Sequence, residues 1–326
     1  MTMARRVVIR EAGEPEVMRV ERVELEAPRE HEVRVRQTAI GFNYIDVYQR
    51  QGKYPLPLPS GLGHEAAGVV EAVGSAVTGF APGDRVACMN AGIGAYADAR
   101  NVAADRLVPL PAGLSDEQAA AVLFKGLTAQ YLLRRTHRVQ AGQTVLVHAA
   151  AGGVGQILCS WAKALGATVL ATAGSAAKCE IARRAGADVA VDYSQPGWVQ
   201  RLLEANGQRK ADVVYDSVGR DTFEQSLDCA APFGLVVLYG AASGPVPPLD
   251  TEVLNRKGCL FLTRPSVFPH NADPATLRAN AAELFEAIAR GWVRAEVSQR
   301  FALDDVVAMH RAAQSRATHG AVVLVP

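Results

Sequence analysis

The sequence predicts an α/β protein that pairs a β-rich domain with a domain built on a doubly wound parallel sheet. Short strand patterns separated by glycine and proline dominate residues 5 to about 125. Strand and helix patterns then alternate up to residue 263, the order that a parallel sheet requires. With 326 residues and a 49% hydrophobic composition, the chain can form two domains with a large core.

The β-rich part is predicted from alternation and from turn residues. Residues 32–36 alternate charged and apolar side chains, as a half-buried strand does. Residues 68–74 form a second strand between two glycines, and residues 84–88 follow a proline-glycine turn at 81–83. Short strands of this kind predict a compact, barrel-like domain.

A helix is predicted to follow. Ser115 and Gln118 have the spacing of a capping box, in which each side chain bonds the backbone N–H of the other residue. The helical pattern over 119–123 leads into 127–133, which we interpret as the bridge into the second domain.

The second domain is expected to begin with a strand, a glycine-rich turn and a helix. The apolar run 144–147 predicts a buried parallel strand. Residues 156–165 predict a helix that ends at Gly166, and residues 168–172 predict the next strand.

The turn between that strand and helix carries a dinucleotide-binding pattern. Ala150, Gly152 and Gly155 follow the spacing A-x-G-x-x-G, a variant of G-x-G-x-x-G. Gly152 has no Cβ, so a pyrophosphate can approach the backbone there, and the helix start supplies unpaired N–H groups. We therefore predict cofactor contacts at Gly152, Gly153 and Val154; the alternative is a tight turn that binds nothing.

Further strand and helix patterns continue the alternation. They predict strands at 189–191, 212–216, 235–239 and 260–263, a helix from about Thr222, a late helix at 274–290 and a strand at 320–325. Repeated β-then-α order implies a doubly wound parallel sheet. The terminal strand is expected to return to the first domain.

Composition and charge narrow the function. The net charge of +1, from 34 basic and 33 acidic residues, argues against a nucleic acid or a membrane surface as the main partner. No apolar run approaches the length of a membrane span, and the N-terminus enters a strand pattern without a signal-peptide core. Five widely spaced cysteines argue against a disulfide framework or structural zinc, and fit a reducing cytoplasm.

Six segments in chain order carry a resemblance to a known family. They are 41–48 (GFNYIDVY), 61–68 (GLGHEAAG), 81–86 (APGDRV), 149–155 (AAAGGVG), 215–220 (YDSVGR) and 315–318 (SRAT). On these segments the chain resembles the medium-chain dehydrogenase/reductase superfamily and, within it, the zinc-free quinone oxidoreductases related to zeta-crystallin.

The resemblance implies a domain organisation and an activity. It implies a GroES-like catalytic domain formed by residues 1–126 and 265–326, a Rossmann domain at 127–264, and an active site in the cleft between them. It further implies transfer of hydride or electrons from NADPH to a quinone, usually in a homodimer.

Asn43 bears on whether the protein holds a metal. Zinc-containing relatives carry a metal-binding cysteine at this position, and their cysteine-rich structural zinc loop is missing from this chain. Because asparagine is a poor zinc ligand, we expect no metal. His64 nevertheless keeps the Gly-His-Glu pattern of the zinc enzymes, so it is either a ligand or a hydrogen-bonded cleft histidine.

The catalytic candidates lie between residues 43 and 54. The resemblance implies that Asn43, Asp46, Tyr48 and Tyr54 line the nicotinamide end of the cleft. Tyr48 is a candidate donor of a hydrogen bond or a proton to a carbonyl oxygen, and an ordinary buried tyrosine is the alternative. Since hydride delivery belongs to the cofactor, the protein has mainly to position the reactants.

Further cofactor contacts are implied by the resemblance alone. They fall on Asn43, Tyr131, Ser217 and Arg316. Lys125 resembles a family motif at the domain bridge, where it would contact substrate or cofactor, and a solvated lysine at a helix end is the alternative.

The end of the second strand of the nucleotide unit predicts a preference for NADPH. An NAD-binding unit places Asp or Glu about 20 residues past the glycine fingerprint, on the ribose hydroxyls. Residues 173–178 (AGSAAK) contain no acid. Gly174 opens space, Ser175 and Lys178 suit a 2′-phosphate, and Tyr193 lies where the family uses a tyrosine near that phosphate. A solvated Lys178 is the alternative.

The sequence therefore favours an NADPH-dependent quinone reductase without zinc. The enzymatic alternative is an enoyl or enone reductase, since a polarised conjugated system also accepts hydride. A third hypothesis is a non-enzymatic NADPH-binding protein of the crystallin or RNA-binding kind, and the near-zero net charge weighs against RNA. NADPH consumption with a benzoquinone, with an enone or with neither separates the three.

Overall fold

The computed structural model describes residues 2–315 and 317–326. In chain order, the strands are β1 (Thr2–Val8), β2 (Arg19–Leu25), β3 (Glu32–Gly41), β4 (Glu65–Val73), β5 (Arg85–Met89), β6 (Ala99–Ala103), β7 (Leu107–Pro109), β8 (Thr144–Val147), β9 (Thr168–Ala173), β10 (Val189–Asp192), β11 (Ala211–Asp216), β12 (Ala230–Leu238), β13 (Phe261–Thr263), β14 (Val297–Ala302) and β15 (Ala321–Val325). The α-helices are α1 (Tyr44–Arg50), α2 (Asp116–Tyr131), α3 (Gly153–Ala164), α4 (Ala176–Arg184), α5 (Trp198–Ala205), α6 (Phe223–Cys229), α7 (Glu252–Arg256), α8 (Val267–His270), α9 (Pro274–Ala289) and α10 (Val306–Gln314).

The chain divides into two compact units. The first comprises the chain up to Lys125 together with Asn271–Phe285 and Ala295–Pro326. The second comprises Gly126–His270 and Glu286–Arg294.

The first unit is built on a mixed sheet with the strand order β14-β15-β3-β4-β5-β7, and β6 also pairs with β3. β15 pairs antiparallel with β3, with Val323 opposite Gly41, so the terminal strand returns to the first domain as predicted. The alternation predicted at 32–36 places Val33 and Val35 in the core of this unit. Its apolar core brings strand residues from both chain ends together, which is why two distant segments fold as one unit.

The second unit is built on a parallel sheet with the order β10-β9-β8-β11-β12-β13. From β8 the strands β9 and β10 are added on one side of the sheet, and β11, β12 and β13 are added on the other, so the order of strands reverses between β8 and β11. In doubly wound sheets, ligands bind at this switch point, outside the carboxyl ends of the strands. The predicted α/β fold class, a GroES-like β-rich domain with a Rossmann domain, is confirmed.

The helix that precedes the parallel sheet covers the predicted helical pattern at 119–123 and most of the predicted bridge at 127–133. α2 runs unbroken to Tyr131, and a π-helical segment, Leu132–Thr136, follows it directly. The predicted capping box is present at its start: the Ser115 N–H donates to Gln118 Oε1 at 3.0 Å, and the Gln118 N–H donates to Ser115 Oγ at 3.2 Å.

Two expectations from the sequence concern membrane spans and the state of the cysteines. Among residues 2–315 and 317–326, no helix combines the length and apolarity needed to cross a bilayer. The five cysteines are all free thiols, four of them buried and Cys259 exposed.

Candidate active site and nucleotide site

The glycine-rich turn joins β8 to α3 at the switch point of the parallel sheet. Gly152 is the N-cap residue, so Gly153 and Val154 occupy the first helical turn, where backbone N–H groups have no partner within the helix. A Cβ on Gly155 would lie 2.5 Å from the carbonyl oxygen of Ala149, so only glycine lets the helix pack this close to the strand. The helix begins three residues before its predicted start because the turn glycines themselves take up helical backbone.

The residues predicted to bind a 2′-phosphate lie together at the carboxyl end of β9. A Cβ on Gly174 would lie 3.2 Å from the Tyr193 hydroxyl, so the tyrosine lies directly against the glycine. Ser175 caps α4, and its hydroxyl accepts the backbone N–H of Lys178 at 3.3 Å. The structure therefore brings all four residues to one small surface.

Lys178 occupies a helix position that suits an anionic ligand. It lies in the first turn of α4, and this first turn carries no acidic residue. A cation at this end opposes the helix dipole and costs stability unless an anion is bound nearby. Asp192, across from Ala173 in β10, is the acid of the neighbouring strand, and its carboxylate accepts the Ser194 N–H at 2.9 Å and the Ser194 hydroxyl at 2.7 Å. The 2′-phosphate site stays a prediction, and the position of Lys178 in the first turn of α4 is compatible with it.

A buried polar network underlies the switch point, and the sequence analysis did not find it. Asp216, the last residue of β11, accepts the Val218 N–H at 2.8 Å and the Ser226 hydroxyl at 2.7 Å. Ser226 Oγ also lies 3.0 Å from His148 Nε2, and His148 Nδ1 lies 2.7 Å from Thr172 Oγ1. These bonds connect the carboxyl ends of three adjacent strands.

The network fixes the loop that carries Ser217, a predicted cofactor contact. Burial lowers the pKa of His148, which favours the neutral imidazole between the hydroxyls of Thr172 and Ser226. The available sequence signal was a polar residue at or just past the end of each of three apolar strands, at Thr172, His148 and Asp216.

Tyr131 and Arg316 were implied only by resemblance. Tyr131 ends α2, is 1% exposed, and stacks on His270 with ring centroids 4.5 Å apart and planes 8° from parallel. Burial raises the pKa of the Tyr131 hydroxyl. Arg316 lies outside the described residues.

In the first unit, Asn43 and Asp46 form the start of α1. Asp46 Oδ2 accepts the Asn43 N–H and the Tyr96 hydroxyl, each at 2.9 Å. The Tyr96 hydroxyl also lies 3.2 Å from His310 Nε2. Burial raises the pKa of Asp46 to about 7. Burial, aided by the charge of Arg50, lowers the pKa of His310 to about 3.

Tyr48 and Tyr54, both predicted, are in contact. Their rings meet edge to face with centroids 5.3 Å apart, and Tyr44 meets Tyr48 in the same way at 5.2 Å. The Lys53 ammonium lies 5.9 Å from the centre of the Tyr48 ring. Tyr44 was missed by the sequence analysis, although its spacing of four residues from Tyr48 on a helix indicates contact.

His64 and Lys125, whose roles were left open, are both buried. His64 Nε2 lies 2.9 Å from Gln49 Oε1, and burial lowers the pKa of His64 to about 4. Lys125 forms an ion pair with Glu65 at 3.5 Å instead of being solvated. Across the part of the chain that the structure describes, no group of three or more His, Cys, Asp or Glu side chains is arranged to hold a metal ion.

Two known protein families each match one segment of this chain. The family described as the alcohol dehydrogenase GroES-like domain matches residues 29–112, and the family described as zinc-binding dehydrogenase matches residues 153–271. The first match covers the segment that holds Asn43, Asp46, Tyr48 and Tyr54. The second begins in the glycine-rich turn.

Individual proteins match nearly the whole chain. A quinone oxidoreductase of Pseudomonas aeruginosa is 50% identical over 325 residues, covering 99% of this chain and 100% of that protein. A 2-haloacrylate reductase of a Burkholderia species is 40% identical over 334 residues, covering 100% of this chain and 99% of that protein. The crystal structure of Escherichia coli quinone oxidoreductase complexed with NADPH is 45% identical, covers 99% of this chain and 100% of that chain, and has a TM-score of 0.96. This chain therefore belongs to the quinone oxidoreductase family of the medium-chain dehydrogenase/reductase superfamily.

Proposed function

We propose that this protein is an NADPH-dependent quinone reductase that works without zinc. The observation that carries the proposal is the 50% identity, over almost the whole chain, to a quinone oxidoreductase. The solved relative that binds NADPH has the same fold, with a TM-score of 0.96. The protein catalyses its reaction mainly by positioning, because the cofactor supplies the chemistry.

NADPH is the cofactor that the second unit fits. Gly152, Gly153 and Val154 would hold its pyrophosphate on the start of α3. The surface of Gly174, Ser175, Lys178 and Tyr193 would hold its 2′-phosphate. Ser217, Tyr131 and Arg316 are proposed as further contacts. When bound, NADPH supplies a hydride to the acceptor.

The catalytic groups are proposed to be Asn43, Asp46, Tyr48 and Tyr54. Asn43 also serves as a cofactor contact at the nicotinamide. Asp46 is fully buried, so it acts by holding the Asn43 backbone and the Tyr96 hydroxyl in place. Tyr48 is proposed to donate a hydrogen bond to a quinone oxygen, and Tyr54 packs against its ring.

The proposed organisation has two further parts. The catalytic domain comprises residues 1–126 and 265–326, and the Rossmann domain residues 127–264. We also propose a cytoplasmic homodimer, with a small-molecule quinone and no nucleic acid as the partner. β13 is an edge strand whose Phe261 is 60% exposed, which favours pairing with a second copy, and five free thiols favour a reducing compartment. Light scattering of the purified protein tests the dimer.

The test of the activity is NADPH oxidation followed at fixed enzyme concentration with three acceptors. We expect rapid oxidation with a benzoquinone and slow oxidation with an enone. Preference for the enone would replace the proposal by an enone reductase, a reaction related to that of the 2-haloacrylate reductase relative. Binding of NADPH without oxidation by either acceptor would favour a non-enzymatic role.

Tyr48→Phe is expected to reduce quinone turnover and to leave NADPH binding nearly intact. One hydrogen bond to a neutral acceptor contributes ~0.5–1.5 kcal/mol, so the loss should be roughly threefold to tenfold in kcat/KM. A larger loss would indicate that the hydroxyl donates a proton. Tyr44→Phe, on the same helix and in contact with the same ring, is the control. Unchanged kinetics in Tyr48→Phe would exclude Tyr48 from the site.

A further inference from the structure

A buried carboxylate, that of Glu65, lies behind the predicted active-site residue Asn43. Glu65 is the first residue of β4 and is completely buried, while Asn43 is 5% and Lys125 6% exposed. Glu65 Oε2 accepts the Asn43 side-chain N–H at 2.9 Å and lies 3.5 Å from Lys125 Nζ. Its Oε1 accepts the backbone N–H of Phe124 at 2.6 Å.

The fold leaves space for this carboxylate. Gly41, at the end of β3, has no side chain, and a Cβ there would overlap both Glu65 Oε2 and the carbonyl oxygen of Ala120 in α2. Any other residue at 41 would therefore displace Glu65 from Asn43. The sequence Gly41-Phe42-Asn43 thus combines the space for the carboxylate with the amide that it contacts.

The hydrogen bonds that Glu65 accepts decide how the Asn43 amide is oriented. An ionised carboxylate only accepts hydrogen bonds, so the amide must turn its NH₂ group toward Glu65. Burial raises the pKa of Glu65, and the Lys125 ammonium is the strongest opposing influence. Both oxygens of Glu65 accept hydrogen bonds, Oε2 from the Asn43 NH₂ and Oε1 from the Phe124 N–H, so the carbonyl oxygen of Asn43 is left to accept a hydrogen bond elsewhere.

We propose that Glu65, with Lys125 as its counter-charge, is a positioning residue that orients the Asn43 amide so that its carbonyl oxygen accepts a hydrogen bond from the carboxamide of the bound nicotinamide. The proposal rests on NADPH binding and does not depend on which acceptor is reduced. It assigns to Glu65 a role at the cofactor site that requires no contact with cofactor or substrate.

The test exchanges the carboxylate of residue 65 and the amide of residue 43. In Glu65→Gln the amide oxygen must stay on the Phe124 N–H, so the amide NH₂ faces the Asn43 NH₂. Asn43 must then turn over, and its NH₂ instead of its carbonyl oxygen faces the carboxamide of the nicotinamide. Asn43→Asp places two carboxylates against each other in a buried site. The double variant exchanges the carboxylate and the amide between positions 65 and 43. It thereby keeps the hydrogen bond between the two side chains, an oxygen that can accept from the nicotinamide carboxamide, and one negative charge near Lys125.

NADPH dissociation constants, measured by fluorescence without a quinone, are the primary readout. We expect each single substitution to weaken NADPH binding about tenfold, since a hydrogen bond is lost and like groups face each other. The double variant should return to within about threefold of the unmodified protein. Such coupling between the two positions is the signature of a direct interaction. Glu71→Gln, the same change on the same strand but outside the cluster, should leave NADPH binding unchanged.

The proposal is overturned if the effects of the two single substitutions on NADPH binding are additive in the double variant. A double variant that melts at the native temperature and binds NADPH as weakly as the product of the single effects would leave Glu65 a structural role only. If Glu65→Gln alone does not fold, the NADPH affinity of the double variant is compared with that of Asn43→Asp. The proposal is then refuted if the double variant binds NADPH no more tightly than Asn43→Asp, or if it does not fold. An inactive protein with quinones that still shows the coupling would refute the quinone reductase and retain this proposal.

Discussion

Lys178 is the residue that we expect to set the choice between NADPH and NADH. Two hydrogen bonds to a charged phosphate contribute about 1.5–3 kcal/mol each before exposure weakens them. They should favour NADPH by on the order of 10²-fold in kcat/KM. Lys178→Glu should remove this preference by repelling the phosphate, with little change in kcat at saturating cofactor.

Steady-state kinetics with both cofactors measure this preference. Lys210→Glu makes the same charge change at an exposed site of the same unit and should leave the preference unchanged. Comparable kcat/KM for NADH and NADPH in the unmodified protein would contradict the assignment, as would a Lys178→Glu variant that keeps its preference.

Asp46 gives the stability of the protein a pH dependence. Burial raises its pKa from 3.8 to about 7, so the folded state holds the proton more tightly than the unfolded state. Its contribution to the free energy of unfolding is therefore complete below about pH 4 and is lost as the pH rises through 7. Asp46→Asn keeps an oxygen that accepts from Asn43 and Tyr96 but does not titrate.

Urea unfolding between pH 4 and pH 8 tests this sign. The unmodified protein should lose stability relative to Asp46→Asn as the pH rises. His64 and His310, buried with pKa values of about 4 and 3, act in the opposite direction but are present in both proteins, so their effect cancels in the difference. Asp250→Asn, at an exposed site, is the control. Parallel curves for Asp46→Asn and the unmodified protein would refute the assignment.

At the scale of elements, the turn between β8 and α3 separates two uses of glycine. At Gly155 a Cβ would lie 2.5 Å from the Ala149 carbonyl oxygen and 2.7 Å from the Ala150 Cα, so helix and strand would have to move apart. At Gly152 a Cβ would lie 3.2 Å from its nearest neighbour, a contact that a small shift relieves. Gly155 is therefore required for close packing of helix on strand, whereas the fold tolerates a Cβ at Gly152, which we propose is a glycine for the sake of the cofactor.

Gly155→Ala and Gly152→Ala should accordingly differ in what they damage. We expect Gly155→Ala to lower the melting temperature of the ligand-free protein, because overpacking typically costs about 1–3 kcal/mol. We expect Gly152→Ala to melt within a few degrees of the native protein but to weaken NADPH binding about tenfold or more, because its methyl group occupies the approach of the pyrophosphate. Equal melting temperatures for the two variants would contradict this division.

At the scale of the whole molecule, the question is whether any metal takes part. The resemblance implies that Asn43 replaces the metal-binding cysteine of zinc-containing relatives, and the Asn43 side-chain NH₂ donates a hydrogen bond to Glu65 at 2.9 Å. We therefore expect quinone reduction to survive dialysis against a strong chelator, because the proposed mechanism uses no Lewis acid. A zinc-dependent alcohol dehydrogenase treated in parallel verifies the chelator. Loss of turnover that zinc alone restores would refute the expectation.

Much of the fold and part of the site follow from local sequence patterns. Alternation at 32–36, the apolar run at 144–147 and the A-x-G-x-x-G turn each involve contiguous residues, so their backbone preferences act wherever the segment lies. The proposed 2′-phosphate surface could be suggested from sequence for the same reason, because Gly174, Ser175 and Lys178 are close neighbours in the chain. The absence of an acid there is likewise readable without a structure.

Only the tertiary structure decided which polar groups meet in the interior. Glu65 reaches Asn43 across 22 positions and the Phe124 N–H across 59, and Tyr96 reaches His310 across 214. No periodicity encodes such pairs, because they arise where strands and helices from distant segments pack and exclude water. Their exclusion from water is also what raises the pKa of Asp46 and Glu65 and lowers that of His64 and His310. The sequence by itself thus sufficed to predict the residues of the nucleotide site, whereas only burial within the folded first unit decided which groups surround Asn43 and in which direction their pKa values shift.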